Sequence, residues 1–291
     1  MARTPPAWIW ALIAGASLGV PVRGLADVEI SPAAAPSTEM GLLAAELREE
    51  LSRIPFEVSE RIEIRVAIGA EAFRAALESD DGRPVVAGYL TSTDFEEALR
   101  GRKRPPHITA VFSNPDPLDQ VALAEFLLGR PAIGVFDSPA VQTLTSRLVG
   151  TGVRLIPARP NRDIDALLRA AQGVDVILAL PDGSVLNPSN INHVVRTLYQ
   201  RRSVLIGYSS ALTRVGSLAS VYGSPRDIAR NVAAIVERYA DEGMLPDPAF
   251  MTEISVAFNS QLARSLNIAL PEKAATVQAI KMKREARRRA P

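Results

Sequence analysis

Residues 174–223 have the sequence VDVILALPDGSVLNPSNINHVVRTLYQRRSVLIGYSSALTRVGSLASVYG. Three short, mainly apolar runs stand out within it, at 174–180, 204–207 and 217–222. Such runs lack the polar alternation of a half-exposed strand and are typical of strands that are covered on both faces. A helix-like stretch at about 188–201 joins the first two runs. Short apolar strands joined by helices predict an α/β fold with a mainly parallel sheet.

Polar side chains follow each of these predicted strands. Asp182 comes after the first run, Tyr208 and Ser209 after the second, and Tyr222 at the end of the third. Because parallel strands end at the same edge of a sheet, and ligands bind at that edge in open α/β folds, these residues are candidate ligand contacts.

The strand and helix pattern repeats along the chain more often than one doubly wound sheet needs, which predicts two lobes. A helix start at Ser224-Pro225-Arg226-Asp227 marks the return from the second lobe, with a serine cap, a first-turn proline and an aspartate. The predicted organisation is a first lobe of 27–115 plus 224–291, a second lobe of 130–222, and hinge segments near 113–130 and 222–224.

Further candidate ligand contacts lie where other predicted strands end. Backbone N–H groups at the helix starts attract carboxylates, aspartates accept an amino group, and tyrosines stack on an apolar side chain. The alternative is structural, because serine and aspartate are common helix caps, Asp182-Gly183 suits a turn, and tyrosines pack in cores. These additional residues are Gly69, Ala70, Ser92, Ser113, Asn114, Asp137 and Ser138.

The composition gives little support to catalysis, metal binding or nucleic-acid binding. The chain has no cysteine and only two histidines, His107 and His193, neither of which follows a predicted strand. No nucleophile elbow, zinc-binding helix motif or glycine-rich phosphate loop is present. A formal charge of +1 is unlike that of a nucleic-acid-binding protein. We therefore expect no cofactor and no metal, and a hydrolase with a site assembled only by folding is the weaker alternative.

The N-terminus has the pattern of a secretory signal peptide. Arg3 precedes the apolar stretch Trp8–Val20, and Gly24-Leu25-Ala26 has the small residues of a cleavage site. This predicts a Sec signal peptide over residues 1–26, cleaved after Ala26, and a periplasmic protein. The alternative is an uncleaved anchor, although the apolar stretch is short for a membrane span. Without cysteine, a lipidated N-terminus is excluded.

The central stretch also resembles the ABC-transporter substrate-binding proteins, a family that includes tryptophan- and tyrosine-type binding proteins. The matching motifs are Leu180-Pro181-Asp182, Tyr208, the Gly-x-Leu-x-x-x-Tyr pattern of 216–222, the strand 253–259 and the segment 267–271. The resemblance covers most of 64–274. It implies a two-lobed periplasmic-binding-protein fold, type I-like, in which each lobe is a mainly parallel sheet flanked by helices.

The resemblance also implies a function without chemistry. A periplasmic subunit of an ABC importer would close its lobes on an amino-acid-like or carboxylate ligand and deliver it to a permease in the inner membrane. One difference from the family pattern favours an alternative function. Between Leu51 and Ile62 there is no room for a full strand–helix unit, so the first lobe is shortened. The alternative is a periplasmic sensor or accessory domain of the same fold that regulates a membrane partner.

The C-terminal segment Lys281–Arg289, KMKREARRR, is strongly basic. Cations are stabilised at a helix C-terminus, so the sequence favours a solvated helix end over a contact with anionic lipid or a partner.

If the signal-peptide prediction is correct, the exported protein begins at Asp27. Intact-mass measurement of periplasmic protein, with cytoplasmic precursor as the control, should show the loss of residues 1–26. A periplasmic form that retains them would instead indicate an uncleaved anchor.

Overall fold

The computed structural model describes residues 28–32, 38–54, 63–79, 81–159 and 163–289. The predicted signal peptide and most of the segment between Leu51 and Ile62 lie outside these residues. The described strands are β1 Val28–Pro32, β2 Ile64–Ile68, β3 Val85–Leu90, β4 Ile108–Phe112, β5 Ile133–Asp137, β6 Arg154–Pro157, β7 Val176–Leu178, β8 Val204–Gly207, β9 Ala219–Tyr222, β10 Ala249–Phe250 and β11 Ser255–Phe258. The described helices are α1 Thr38–Ser52, α2 Ala70–Ser79, α3 Ser92–Ala98, α4 Pro117–Leu128, α5 Gln142–Ser146, α6 Ile164–Ala170, α7 Ile191–Gln200, α8 Ser210–Val215, α9 Pro225–Glu242, α10 Ser260–Ser265 and α11 Lys273–Arg289.

The chain forms two compact units. The first unit contains the described residues up to Leu90, together with 98–111 and 228–249. The second contains 91–97, 112–227 and 250–291.

The sheet of the first unit has the strand order β1-β2-β3-β4-β10. Strands β1, β2 and β3 run parallel, with Ile30 opposite Val66 and Val66 opposite Val86. The apolar run Val85–Val86–Ala87 is buried, as expected for a strand covered on both faces. Gly88 allows helix α9 to approach closely, because a Cβ atom at this position would lie 3.0 Å from Val232 Cγ2.

The sheet of the second unit has the strand order β11-β9-β8-β7-β5-β6. Strands β6, β5, β7, β8 and β9 are parallel, and only β11 is antiparallel to its neighbour. Val176, Ile177 and Leu178 of β7 are at most 1% exposed. The apolar runs of the central stretch therefore form the inner strands of a parallel sheet, as the sequence predicts.

Helix α4 is the most deeply buried helix of the second unit. It packs between the strands β7, β8 and β9 and the C-terminal helix α11. Its N-cap is Asp116, whose side chain accepts a hydrogen bond from the Leu118 N–H, and Pro117 occupies the first turn. Leu123 and Ala124 are fully buried. A helix that is covered on two sides needs internal partners for its polar residues.

One of these polar residues joins two strands. The Gln120 Nε2 group donates hydrogen bonds to the backbone oxygens of Ala179, at 2.8 Å, and Ile206, at 3.2 Å. These carbonyls lie at the carboxyl ends of β7 and β8, so α4 holds the two strand ends at a fixed spacing.

The lobe boundaries differ from the sequence-based expectation at the C-terminus. The expectation placed 224–291 with the first lobe, whereas 250–291 cluster with the second unit. Strand β11 causes this difference, because it pairs with β9 over Ser255–Tyr222 to Phe258–Ala219. Helix α11 then packs on α4 and β11. Only 228–249 of the returning segment belongs to the first unit.

The helix start predicted at Ser224 is confirmed. The Asp227 N–H donates to Ser224 Oγ at 3.1 Å, and the Ser224 N–H donates to Asp227 Oδ2 at 2.9 Å. This reciprocal pair is a capping box, with aspartate in place of the usual glutamate. The Ser255 hydroxyl also donates to Asp227 Oδ2, at 2.6 Å.

The basic C-terminal segment is not a solvated helix end. Arg284 makes two hydrogen bonds to the carboxylate of Asp119, a residue of α4 that is fully buried. Lys281 pairs with Glu253, Lys283 with Glu125, and Arg287 donates to the Leu118 carbonyl. The sequence expectation was wrong because it could not show that one face of this helix packs on α4.

Burial raises the pKa of Asp119, although the Arg284 hydrogen bonds and charge act in the opposite direction. The ion pair therefore recovers only part of the cost of burying the carboxylate. No helix of the described residues combines the length and apolar character that a membrane crossing needs.

Replacing Arg284 with alanine should lower the free energy of unfolding by about 3 kcal/mol, because it leaves the Asp119 carboxylate buried without its cation. The matched control is Arg288→Ala on the exposed face of the same helix, for which we expect a change below about 0.5 kcal/mol. Urea unfolding of both variants gives the comparison. Equal stability of the two would show that Asp119 does not depend on Arg284.

Candidate functional site

The second unit places several predicted contact residues at the carboxyl edge of its parallel sheet. Asp137 is the last residue of β5, Tyr222 is the last residue of β9, and Tyr208 directly follows β8. Their strands are joined in register through β7, which shares hydrogen bonds with β5 and β8. The edge predicted from the sequence is therefore present within this unit.

Asp182 lies at this edge, but its carboxylate already accepts three hydrogen bonds from neighbouring residues. Oδ1 accepts the N–H and the hydroxyl of Ser184, at 2.9 and 2.6 Å, and Oδ2 accepts the hydroxyl of Ser138. Asp182 is 6% exposed and Ser138 is 4% exposed. These contacts hold the turn after β7, and they leave Asp182 few free acceptor positions for a ligand.

Tyr208 has a different environment. Its side chain is half-buried, and no hydrogen bond joins its hydroxyl to another residue of the described ranges. Burial raises the pKa of the Tyr208 hydroxyl, and the negative charges of Asp94 and Asp182 raise it further. Tyr208 therefore stays protonated at neutral pH and can donate a hydrogen bond.

Asp94 reaches this region from the turn at Thr91–Asp94, which follows β3. The Asp94 N–H donates to Thr91 Oγ1 at 3.1 Å, while Asp94 Oδ2 accepts the Thr91 N–H at 3.0 Å and the Thr91 hydroxyl at 2.7 Å. The Thr93 hydroxyl donates to the Pro181 carbonyl at 3.0 Å. The turn is thus fixed against the loop that carries Asp182.

This turn contains a residue that the sequence analysis did not select as a ligand contact. The capping box of α3 is Thr91 with Asp94, two residues before the position that the Thr-Asp-Phe-Glu sequence at 93–96 suggests. Asp94 is partly exposed, and its Oδ1 has no hydrogen-bond partner among the described residues. The available signal in the sequence was its position shortly after an apolar run at 85–90.

A pocket of about 340 Å³ opens beside Tyr208 and Ser209. Its lining contains no charged residue. The polar members besides Tyr208 and Ser209 are two asparagines, and the others are apolar. The full lining is Ala179, Leu186, Asn187, Pro188, Ile191, Asn192, Tyr208, Ser209, Ala211, Leu212 and Val215.

The remaining predicted contacts have mainly structural partners. Asn114 is 1% exposed and its Oδ1 accepts the Ser92 N–H at 2.7 Å, which joins the turn after β3 to the loop after β4. The Asp137 carboxylate accepts the Thr145 hydroxyl at 2.6 Å. Ser209 is the N-cap of α8 and lines the pocket, while Ser113 and Tyr222 are partly exposed.

Two predicted contacts belong to the first unit. Gly69 follows β2 with φ +92°, a backbone conformation that favours glycine, and a Cβ at this position would lie 2.5 Å from the flexible end of Met40 at Cε. Ala70 begins α2 and is partly exposed.

The buried hydroxyl of Ser92 has no hydrogen-bond partner within the described part of the chain. Within the described residues, the basic groups near Tyr208 are the carboxylates of Asp94 and Asp182. His193 pairs instead with Asp165, and both side chains are exposed. No group of three or more metal-binding side chains occurs among the described residues. The arrangement offers hydrogen-bond donors and acceptors around an apolar pocket, which is the chemistry of a binding site.

A second depression, of about 750 Å³, lies at the opposite edge of the same sheet and is lined by Arg130 and Arg202. Both arginines follow helix C-termini, where cations are stabilised by the helix dipole. Arg202 has φ 57° and completes a helix-ending motif, in which the Ser203 N–H donates to the Leu198 carbonyl at 2.9 Å. These features have a structural explanation.

Comparison with known proteins supports the fold. No protein-family model matches the sequence, and neither does any curated protein. Solved structures do match. A conserved domain protein from Vibrio cholerae has 19% sequence identity and a TM-score of 0.55, and the alignment covers 87% of this chain and 98% of that one.

Two further structures come from binding proteins. An ABC domain from Streptococcus pneumoniae in complex with L-Trp has 15% identity and a TM-score of 0.55, with 86% and 97% of the two chains covered. A ligand-free, open substrate binding protein with adhesive properties from Clostridium difficile has 12% identity and a TM-score of 0.63, with 84% and 95% covered. The predicted fold class, a two-lobed α/β fold of the type I periplasmic-binding-protein kind, is confirmed.

We expect Asp182→Ala to lower the free energy of unfolding by about 3 kcal/mol, since it leaves the Ser138 hydroxyl and both Ser184 donors without their acceptor. The control at the same sheet edge is Asp137→Ala, which removes one partner of one hydroxyl and should cost about 1 kcal/mol. Denaturant unfolding measures both. An Asp182 variant as stable as wild type would show that the carboxylate does not hold the turn.

Proposed function

We propose that this protein is a periplasmic solute-binding subunit of an ABC importer that captures a small amino-acid-like ligand and catalyses no reaction. The observation that carries the proposal is the carboxyl edge of the second unit. There Tyr208 lines an uncharged pocket, and the negative charge of Asp94 acts on its hydroxyl. Neither that hydroxyl nor Asp94 Oδ1 has a hydrogen-bond partner among the described residues.

The charges at this edge favour a ligand with an amino group. The carboxylates of Asp94 and Asp182 both influence Tyr208. A ligand ammonium would satisfy the free Asp94 oxygen in a charge-assisted hydrogen bond, which is stronger than a neutral one. A simple carboxylate would meet like charge here, so amine-bearing ligands are favoured over the anionic carboxylates that the sequence also allowed.

The pocket suits the remainder of such a ligand. Its volume of about 340 Å³ lies within the range of small-molecule sites, and its lining has no charge to pair with a charged side chain. An amino acid with an apolar or aromatic side chain fits both features. The L-Trp complex of the pneumococcal structure supports the class of ligand, at the level of a shared fold.

The proposed mechanism requires only that the protein bind its ligand, with no chemical reaction. Ligand that contacts both lobes stabilises a closed form, and that form is delivered to an inner-membrane permease. Periplasmic location, signal-peptide cleavage and the permease partner are parts of this proposal. In this proposal Asp182 is no longer a ligand contact and instead holds the loop after β7. Asp94 accepts the ligand amine in its place.

A thermal-shift screen tests the proposal, using the standard amino acids, their N-acetyl derivatives, organic carboxylates and sugars. An apolar amino acid should stabilise the protein by about 2.7 kcal/mol at one hundred times its Kd. The N-acetyl derivative, which has no ammonium, should give no shift. Stabilisation by carboxylates or sugars alone would contradict the assignment of the amine site.

Asp94→Asn should weaken binding of that amino acid by about 10- to 100-fold, because it removes a charge-assisted interaction. Asparagine keeps an oxygen that can accept from Thr91, so the ligand-free melting temperature should change little. The control is Glu97→Gln, which removes one exposed carboxylate from the same helix. Isothermal titration calorimetry of the three proteins measures the effect, and equal affinities would rule out Asp94 as the amine acceptor.

An experiment in cells distinguishes a role in transport from a role in regulation. If the protein serves an importer, deletion of its gene should abolish uptake of the radiolabelled amino acid that binds in vitro. Intact uptake, with loss of a ligand-dependent signalling response, would favour the sensor.

A further inference from the structure

The amino edge of the second unit's sheet carries a depression that the proposed function does not use. Its volume of about 750 Å³ lies within the range of small-molecule sites. All of its lining residues belong to the second unit. They come from the ends of α4, α7 and α10, from the segments that follow these helices, and from the residue before β7. This amino-edge depression is lined by Leu128, Arg130, Pro131, Asp175, Tyr199, Gln200, Arg202, Val204, Ser265, Leu266, Asn267 and Ile268.

Two arginines of the amino-edge depression have no partner within the described part of the chain. Neither Arg130 nor Arg202 makes a side-chain hydrogen bond or an ion pair there. Two other arginines at the same edge, Arg154 and Arg201, each donate to a backbone carbonyl, at 3.1 and 2.5 Å. The helix dipole explains why cations are stable at this edge. It does not explain why two guanidiniums lack partners in the described residues while their neighbours are bonded.

The acidic residue of the lining does not neutralise this pair. Strands β5 and β8 both pair with β7, so they are two strand spacings, about 10 Å, apart. Arg130 lies shortly before β5, Arg202 shortly before β8, and Asp175 directly before β7, between them. The Asp175 Oδ2 accepts the Ala132 N–H at 2.7 Å, and among the described residues Asp175 forms no ion pair with either arginine.

The helix ends do not cancel the positive charge either. The C-termini of α4, α7 and α10 contribute about half a negative charge each. Arg264, which is exposed in the last turn of α10, adds a cation to Arg130, Arg201 and Arg202 at this edge. The arginines therefore exceed the negative charge of the three helix ends and of Asp175 together.

The remaining lining groups suit an organic molecule. Gln200 and Asn267 supply side-chain amides that can donate hydrogen bonds, and Tyr199, which is 44% exposed, offers its ring. The other members are mainly apolar. Guanidinium groups bind carboxylate and phosphate through pairs of parallel hydrogen bonds, which are stronger than those between neutral groups. The combination favours an anion that has an organic part.

We propose that the amino-edge depression is a second binding site, for a small organic anion that carries two or more negative charges on carboxylate or phosphate groups. Arg130 and Arg202 bind the charged groups from either side, and Tyr199 and the apolar lining contact the rest of the molecule. A singly charged anion leaves one of the two guanidiniums without a partner. The site lies at the edge opposite Tyr208, so the inference does not depend on the proposed function.

Calorimetric titration of the protein with pyrophosphate and with citrate, at constant ionic strength, tests this inference. The wild type should bind at least one of them at one site per chain, and acetate at least about tenfold more weakly, because it pairs with one guanidinium only. Arg130→Gln and Arg202→Gln should each weaken binding by about 10- to 100-fold, the effect of losing charge-assisted hydrogen bonds. Arg130→Lys should recover only part of that loss, because lysine keeps the charge without the fork.

The matched control is Arg196→Gln, which removes one exposed arginine of α7 that does not line the depression. It should leave the Kd within about twofold of the wild-type value, because the charge it removes lies outside the site. All of these variants should melt within about 2 °C of the wild type, since they change exposed side chains. Loss of binding therefore reports on the site rather than on unfolding.

Three results would overturn the inference. One is a wild type that shows no saturable binding of either anion. Another is an equal loss of affinity in Arg196→Gln, which would indicate non-specific attraction between opposite charges. The third is sedimentation with phosphatidylglycerol vesicles without binding of the free anions, which would indicate a membrane surface as the partner. An amino acid bound at the carboxyl edge should not displace the anion, and failure of the amino-acid screen leaves this site unaffected.

Discussion

The hydrogen bonds from Gln120 to the carbonyls of Ala179 and Ile206 set the geometry on which the candidate site depends. The two strands are already joined at this point, because the Ala179 N–H donates to the Ile206 carbonyl at 2.9 Å. The buried Gln120 amide on α4 adds a hydrogen bond to each strand. The loops that carry Asp182 and Tyr208 begin within three residues of these carbonyls. The spacing of these loops is therefore stabilised by a helix that contributes no side chain to the pocket.

Helix α4 can hold this position because it is fixed from its other side as well. Asp119 precedes Gln120 and bonds to Arg284 of α11 in a buried ion pair. Burial is the largest influence on the pKa of Asp119 and raises it. The attraction between the two charges therefore offsets only part of the cost of removing the carboxylate from water. Such a pair favours one orientation of the helix, since a misplaced helix would leave a charge buried without a partner. The C-terminal helix is thus part of the support for the site, although it lies far from it in sequence.

Two aspartates of the candidate site differ in how many hydrogen bonds they already accept. Asp182 and Asp94 both follow strands and both carry a carboxylate near Tyr208. Asp182 receives three internal hydrogen bonds and is nearly inaccessible, whereas one oxygen of Asp94 has no partner in the part of the chain that the structure describes, and Asp94 is partly exposed. A carboxylate that already has its full set of donors gains little from a ligand. The proposed function therefore assigns the ligand contact to Asp94, whereas the motif resemblance pointed to Asp182.

The sequence by itself determined the fold class, the parallel strands 174–180 and 204–207, the helix start at Ser224 and the sheet edge that carries Asp182, Tyr208 and Tyr222. These features depend on local periodicity and on caps, which are encoded within a few neighbouring residues. Only the tertiary structure decided that 250–291 join the second unit, that the basic tail anchors α4, and that Asp182 is saturated while Asp94 is not. Each of these depends on contacts between residues far apart in the chain, such as Arg284 with Asp119 or Ser138 with Asp182. Residue type and spacing do not show which distant residue forms a hydrogen bond with a given polar group. That hydrogen bond decides whether the group supports the fold or remains free for a ligand.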